Sequence, residues 1–200
     1  TAGYATSFYD FYDAEAGNTI YGTYYSSSAT THLLAYTAVF GNGLAASLSV
    51  EDNYYRRSGV FFNGDSNVAV GGQRAPDVVA SLRWTQDWGS AQIMAAAHQT
   101  RITDAPLQDG LPPEDQTIWG YAVGAGALFN LPSGFFFGLE GNYARGASSY
   151  TGIFDNNLAE TLSAGDVNDI VQTDMLGNVE RVRAWSVTAD LGYNFTPSLV

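Results

Sequence analysis

Residues 185–195 read WSVTADLGYNF, and apolar side chains occupy every second position of this segment. Trp185, Val187, Leu191 and Phe195 belong to this set, whereas Ser, Thr, Asp, Gly and Asn fill the positions between. A β-strand sends successive side chains to opposite faces, so a period of two predicts a strand with one apolar and one polar face. A helical period of 3.6 would mix the two sets.

The same alternation recurs along the chain. The alternation is clean in three further segments, which are 44–51, 77–85 and 119–129. It is weaker in four, which are 1–7, 31–40, 91–101 and 135–145. These segments predict seven antiparallel strands, or eight when the short opening segment is included. The fold class predicted is therefore all-β.

Short and long connections alternate between the predicted strands. Tight turns of Gly, Asn and Pro occupy 41–43, 87–90 and 131–134, whereas long polar links occupy 52–76, 102–116 and 146–180. Transmembrane barrels have short turns at one end and long extracellular loops at the other. The aromatic residues near the short turns, where a lipid interface is expected, are Phe40, Trp84, Trp88, Phe129, Phe135, Tyr193 and Phe195.

Composition supports the same conclusion. The chain has 22 Gly, 11 Phe, 13 Tyr and 4 Trp, only 14% charged residues and no Cys. It lacks the roughly 20 consecutive apolar residues of a spanning helix. Backbone groups in lipid must be paired internally, which leaves a closed barrel as the sheet solution. Residues 1–200 are therefore predicted to be part of a single transmembrane, antiparallel, up-and-down β-barrel.

Several motifs resemble the alphaproteobacterial porin family. They are PDVVASLRW (76–84), DWGSAQ (87–92) and AAAHQ (95–99), with support from SFYDFY (7–12) and GYAV (120–123). The resemblance covers most of the strands and short turns and is weak in the long links. Members of this family are trimeric outer-membrane channels of about sixteen strands, a size that leaves an aqueous lumen.

The resemblance implies that this chain is an internal fragment, covering about the middle half of one barrel. It implies a homotrimer in the bacterial outer membrane that passes small hydrophilic solutes and ions by passive diffusion. It also implies that residues 8–30 form a constriction loop folded into the lumen. Asp10, Asp13 and Glu15 would be the acidic rim of that constriction.

Polar residues on the strands are assigned to the lumen by their parity. Charged groups are costly in lipid and natural beside water. The lumen-facing set is Glu51, Arg83, His98, Glu140 and Asp190. Three acids against one Arg predict a weak preference for cations.

Three arginines have the opposite parity. Arg101, Arg145 and Arg183 lie at the long-loop ends of their strands, on the side of the lipid-facing residues. A planar guanidinium pairs well with phosphate, so we expect these residues to contact the lipopolysaccharide of the outer leaflet. The alternative is that a β-bulge flips their parity and places them in an arginine ladder within the lumen.

The sequence offers little for chemistry. His32 and His98 are the only histidines, and no motif places Ser beside His and Asp, so we expect no enzyme activity, metal or cofactor. A net charge of −12 without any Lys argues against a nucleic-acid partner. Four aspartates of the longest link could ligate Ca²⁺, but their spacing fits no EF-hand loop and they are expected to be solvated; they are Asp155, Asp166, Asp169 and Asp174.

Two other functions remain open at this stage. Eight strands could close on themselves as a small membrane anchor or adhesion barrel without a pore. A soluble ligand-binding barrel of lipocalin type is the other alternative, and it predicts that the aromatic rows face inward.

Overall fold

The computed structural model describes residues 1–11, 29–56, 59–62, 74–105, 114–152, 168–172 and 178–194. Within these residues the chain forms eleven β-strands. They are β1 Ala2–Thr6, β2 Thr30–Gly41, β3 Leu44–Glu51, β4 Gly59–Phe62, β5 Asp77–Gln86, β6 Gly89–Ala105, β7 Glu114–Asn130, β8 Phe135–Arg145, β9 Asn168–Gln172, β10 Val179–Arg181 and β11 Arg183–Tyr193. Two short 3-10 helices cover Tyr54–Arg56 and Ser148–Thr151. No helix in the described part is long and apolar enough to cross a membrane.

Eight of these strands form one antiparallel sheet in the order β1-β2-β3-β5-β6-β7-β8-β11. This confirms the predicted antiparallel, all-β fold, and β3 and β8 begin and end at the predicted residues. The remaining strands form a second sheet in the order β10-β9-β4, in which β4 and β9 run parallel. That sheet was not predicted, because strands of three to five residues are too short for an alternating pattern to show.

The first short turn has the backbone conformation that its residues favour. Gly41, Asn42 and Gly43 all have positive φ, at 85°, 48° and 74°. Gly and Asn adopt this left-handed region at the lowest cost. A Cβ on Gly43 would lie 1.8 Å from the carbonyl oxygen of Thr85, so only Gly fits there.

The large sheet has one apolar face that is exposed. Leu48, Leu82, Val123 and Leu191 are 57%, 38%, 45% and 69% exposed, and many aromatic and aliphatic neighbours on the same face are exposed too. Removing apolar surface from water is worth about 25 cal/mol per Å². A face of this kind therefore belongs in hydrocarbon, and the inward-facing aromatic rows of a lipocalin-type barrel are not observed.

Aromatic side chains border this face at both ends. The predicted row at the short turns includes Trp88, whose ring stacks on Phe129 at 5.3 Å between centroids. Phe195 lies outside the described residues. A second row, which was not predicted, lies at the long-loop end and contains Trp119, Tyr121, Tyr143 and Trp185.

The spacing of the two rows matches a membrane. Trp119 and Phe129 lie on the same strand, β7, and both are exposed. Their separation along the strand is about 33 Å at the usual rise per residue. A strand tilt of about 40° reduces this to about 25 Å across the membrane, the height of the apolar band of outer-membrane barrels.

Candidate functional site

The face of the large sheet opposite the exposed apolar residues is here called the inner face. All five residues predicted to face the lumen have the parity of this face. Arg83 and Asp190 are partly exposed, whereas Glu51, His98 and Glu140 are buried. They are buried because other parts of the chain fold onto the inner face and cover them.

The first covering element is Ser7–Phe11, here called the inner segment. Tyr9 is fully buried, and its hydroxyl donates a hydrogen bond of 3.1 Å to Asn142 Oδ1 on β8. Gln92 Nε2 on β6 donates to the backbone carbonyls of Phe8 and Tyr9, at 3.4 and 3.3 Å. The inner segment is thus attached to the middle of the sheet through its side chains and its backbone.

Glycines on β7 make room for the inner segment. A Cβ on Gly126 would lie 2.3 Å from the ring of Phe11. A Cβ on Gly124 would lie 2.1 Å from Asn142 Oδ1 and 3.1 Å from the hydroxyl of Tyr9. The small residues of this strand therefore allow direct packing against the inner segment.

Asp10 has a different environment from the one predicted. Its carboxylate is buried, with Oδ1 2.7 Å from Arg56 Nη2 and Oδ2 accepting the backbone N–H of Ala29 at 2.6 Å. A buried ion pair of this kind anchors the segment and does not present an acid to water. Asp13 and Glu15 lie outside the described residues, and their place at the rim stays a prediction.

Arg56 links the inner segment to the long connections. Its guanidinium lies 4.3 Å from the ring centroid of Tyr150, and its carbonyl accepts the hydroxyl of Ser149 at 2.7 Å. Burial alone would lower the pKa of Arg56, but the charge of Asp10 outweighs this and raises the pKa above its ordinary value. The guanidinium therefore keeps its positive charge although it is buried.

Four buried side chains form what we call the His98 cluster. His98 Nδ1 lies 2.9 Å from both carboxylate oxygens of Asp77, and Tyr150 donates a bond of 2.6 Å to Asp77 Oδ2. His98 Nε2 lies 3.4 Å from Asp169 Oδ2, within ion-pair distance. The cluster joins β5, β6, the second 3-10 helix and β9.

The two 3-10 helices and β9, here called the cap, cover the long-loop end of the inner face. Ser148 donates to Asp169 Oδ1 from its backbone N–H at 2.7 Å and from its hydroxyl at 2.9 Å. The prediction that Asp169 is a solvated loop acid was wrong, because its side chain is fully buried between Ser148 and His98. The other three aspartates of that link, which are Asp155, Asp166 and Asp174, lie outside the described residues.

Part of the His98 cluster could have been found from the sequence. The short turn at 87–90 sets the register of β5 and β6, in which Val78 pairs with Ala97. Asp77 and His98 occupy the next position of this ladder, with the same inward parity. Arg56, Tyr150 and Asp169 come from the long links, which have no periodicity that could locate them.

The three predicted lipid-facing arginines keep their outward parity. Arg145 and Arg183 are direct partners in the β8–β11 ladder, which has no register shift. The only shift between β6 and β7 falls between Ile102 and Ala105, beyond Arg101. The parity-flipping bulge is therefore not observed. Arg101 forms an ion pair with Asp115, at 2.6 Å between Nη2 and Oδ2.

In the part of the chain that the structure describes, the inner face shows neither a metal site nor a hydroxyl paired with His98 as a nucleophile would be. No group of three or more His, Asp or Glu side chains there could hold a metal ion. His98 contacts two carboxylates and the Tyr150 ring. A histidine that activates a nucleophile needs a hydroxyl or thiol within hydrogen-bond reach, and His98 has no such hydroxyl or thiol partner.

Comparison with known proteins adds to these observations. The family model described as the Porin subfamily matches residues 1–200. The fold is similar to the crystal structure of the outer membrane channel DcaP of Acinetobacter baumannii, with a TM-score of 0.65 and 17% identity. The match covers 98% of this chain and 49% of that one, so this chain spans about half the length of that channel. No curated protein matches significantly. The chain thus belongs to the Porin subfamily, and it is a β-barrel protein of the bacterial outer membrane.

Proposed function

We propose that this protein forms a water-filled channel through which small hydrophilic solutes and ions diffuse passively. The observation that carries the proposal is the division of one sheet into an exposed apolar face and a polar inner face. Such a wall separates hydrocarbon from a polar interior. Selection would follow from the pore diameter and the charges that line it, without covalent steps or an enzyme active site.

The arrangement of the strands supports a large barrel. β1 and β11 stand at the two edges of the described sheet and are not neighbours in it. Eight strands that close on themselves leave an interior just wide enough for side chains. Here the inner face also carries the inner segment and the cap. These features favour closure with additional strands, about sixteen in all, over a small anchor or adhesion barrel without a pore.

We further propose that residues 8–30 narrow the lumen. Support comes from the part of this loop that is described, because Phe8–Phe11 lies on the inner face and is attached there at Tyr9 and Asp10. Asp10 acts as an anchor in this proposal. Asp13 and Glu15 are left as the acidic rim, and they would favour cations.

Planar-bilayer recording of the full-length protein tests the channel proposal. We expect large, stable conductance steps. With different salt concentrations on the two sides of the bilayer, the sign of the reversal potential should show a preference for cations. Asp13→Asn should move the reversal potential toward zero, because it removes one negative charge from the constriction. Asp87→Asn, which removes the same charge at an exposed short turn, is the matched control. Absence of conductance from folded protein would support the anchor barrel instead.

We propose a homotrimer as the assembly, on the basis of the resemblance to trimeric porins. Native mass spectrometry of the full-length protein in detergent should give three copies per particle. A monomer with full conductance would show that trimerisation is not needed for the channel.

A further inference from the structure

We propose that Arg145, Arg181 and Arg183 form a binding site for a phosphate group of outer-leaflet lipopolysaccharide. The site begins with the register of the sheet, in which Arg183 on β11 lies directly opposite Arg145 on β8. Side chains at such positions have Cβ atoms about 5 Å apart. Both side chains share the outward parity of Tyr143 and Trp185, so they extend from adjacent positions of the same face of the sheet.

The depth of the pair matches the lipid headgroups. Tyr143 and Trp185 pair with each other two positions closer to the middle of the strands, and Trp185 is 71% exposed. Tyr121 lies beside Arg145 in the β7–β8 ladder. Aromatic side chains of this kind mark the boundary between hydrocarbon and headgroups. The arginines lie just beyond that boundary, where lipid phosphates are found.

The electrostatics of the pair call for an anion. Like charges directly opposite each other on a sheet destabilise it. Among the described residues, no carboxylate forms an ion pair with Arg145 or Arg183, and Arg145 Nε is buried without a hydrogen-bond partner. Arg101, by contrast, is paired with Asp115. A phosphate between the two guanidinium groups would accept several charge-assisted hydrogen bonds and remove the repulsion.

Arg181 adds a third guanidinium at the same end. Its Nη1 donates to the backbone carbonyl of Trp119 at 3.1 Å. Its side-chain carbons pass over Gly146, where an added Cβ would lie 3.0 Å from Arg181 Cγ. Arg181 is exposed, so its guanidinium can reach a ligand at the surface of the sheet. Its bond to β7 holds it close to the outer ends of β8 and β11.

The position of the site identifies the lipid. Long loops of outer-membrane barrels are extracellular, and the site lies at the long-loop end of the sheet. The outer leaflet of this membrane contains lipopolysaccharide, whose lipid portion carries phosphates. Free phosphate offers the same chemistry without the acyl chains that would lie against Tyr143 and Trp185.

The test uses the full-length protein purified in detergent and native mass spectrometry with four probes. These are lipopolysaccharide, the same molecule with its phosphates removed, phosphatidylglycerol and inorganic phosphate. We expect lipopolysaccharide to bind most tightly, and Arg145→Gln/Arg183→Gln to weaken it at least about tenfold, the size of one lost charge-assisted bond. Arg145→Lys/Arg183→Lys should retain part of the affinity.

Arg83→Gln is the control, because it makes the same kind of substitution at one arginine of the inner face, away from the site. It should leave lipopolysaccharide binding unchanged. Heat-modified electrophoretic migration shows that each variant is folded, and bilayer conductance measured on the same samples reports separately on the channel. Equal binding of dephosphorylated lipopolysaccharide, equal binding of phosphatidylglycerol or phosphate, or unaltered binding by the Gln variant would each overturn the proposal.

Discussion

At the scale of single residues, the inner face depends on a few buried charges. His98 lies between the carboxylates of Asp77 and Asp169, and each of the three side chains is fully buried. A buried charge without a partner is costly. Removing one of these three side chains would therefore be costly, because it leaves the charges of the others uncompensated. Removal of the His98 imidazole should therefore destabilise the contact between the cap and the inner face more than removal of either carboxylate.

We predict that His98→Ala lowers the free energy of unfolding by about 3 kcal/mol, because it leaves two carboxylates facing each other in a buried site. Urea unfolding in lipid vesicles measures the change. His32→Ala is the control, since His32 is exposed on the outward face and lies beside Tyr4. Equal losses from the two variants would contradict a special role for His98.

We also predict that Asp169 makes the cap sensitive to acid. Burial by itself would raise its pKa, but His98 and the two hydrogen bonds from Ser148 outweigh burial and hold the pKa below its ordinary value. A lowered carboxylate pKa gives stability that is present above the ordinary value and lost as the pH falls through the folded one. Wild type should therefore exceed Asp169→Asn in stability at neutral pH.

The difference between these two proteins should shrink as the pH falls from the ordinary carboxylate pKa through the lower pKa of folded Asp169, because protonated Asp169 resembles Asn. Hydrogen exchange at the backbone N–H of Ser148, measured across this range, is the direct readout. A difference that stays constant with pH would show that the charge of Asp169 does not stabilise the cap.

At the scale of elements, the inner segment packs closely against β7 because glycines on that strand have no side chains. Gly124 and Gly126 present bare backbone where Tyr9 and Phe11 pack. Glycine weakens a strand, so its use here is explained by the close approach of another chain segment. The attachment of the inner segment thus depends both on the glycines of β7 and on the aromatic side chains that pack against them.

We predict that Gly126→Ala displaces Phe11, because the new Cβ would lie 2.3 Å from its ring. Overpacking of this kind costs about 1–3 kcal/mol, so hydrogen exchange in the inner segment should accelerate by about fivefold or more. Gly141→Ala is the same substitution on the outward face of β8, where the nearest atom would be 3.9 Å away. It should leave that exchange rate unchanged, and an equal effect would contradict the packing argument.

At the scale of the whole molecule, the sheet separates two environments. Large apolar residues such as Val187 are exposed on one face, at 63%, and polar residues lie on the other. Because side chains alternate along each strand, one of two neighbouring residues faces hydrocarbon and the other faces the barrel interior. Adjacent positions of one strand should therefore tolerate charge very differently.

We predict that Val187→Arg lowers folding stability in lipid by about 1–2 kcal/mol, between the cost of an arginine at the interface and its cost at the middle of the bilayer. Thr188→Arg should cost much less, because Thr188 faces inward and pairs with Glu140 in the ladder. Urea titration in vesicles of phosphatidylcholine compares the two. Similar losses for both variants would contradict the assignment of the two faces.

The sequence by itself determined the eight strands of the large sheet, their antiparallel pairing and the parity of their side chains. These properties follow from local rules, since a period of two and the Gly-Asn-Gly turn act within a few residues. The outward arginines and the exposed apolar face followed from the same parity. Asp77 beside His98 was within reach of that reasoning too, because a short turn fixes the register of its hairpin.

Only the tertiary structure decided what covers the inner face. Asp10 was predicted as an exposed acid and Asp169 as a solvated one, yet both are buried in ion pairs with residues distant in the chain. The long links carry no repeating pattern, and the partner of a buried charge is set by where two such links meet. Long-range contacts of this kind depend on the assembled sheet, which supplies the wall against which the links fold.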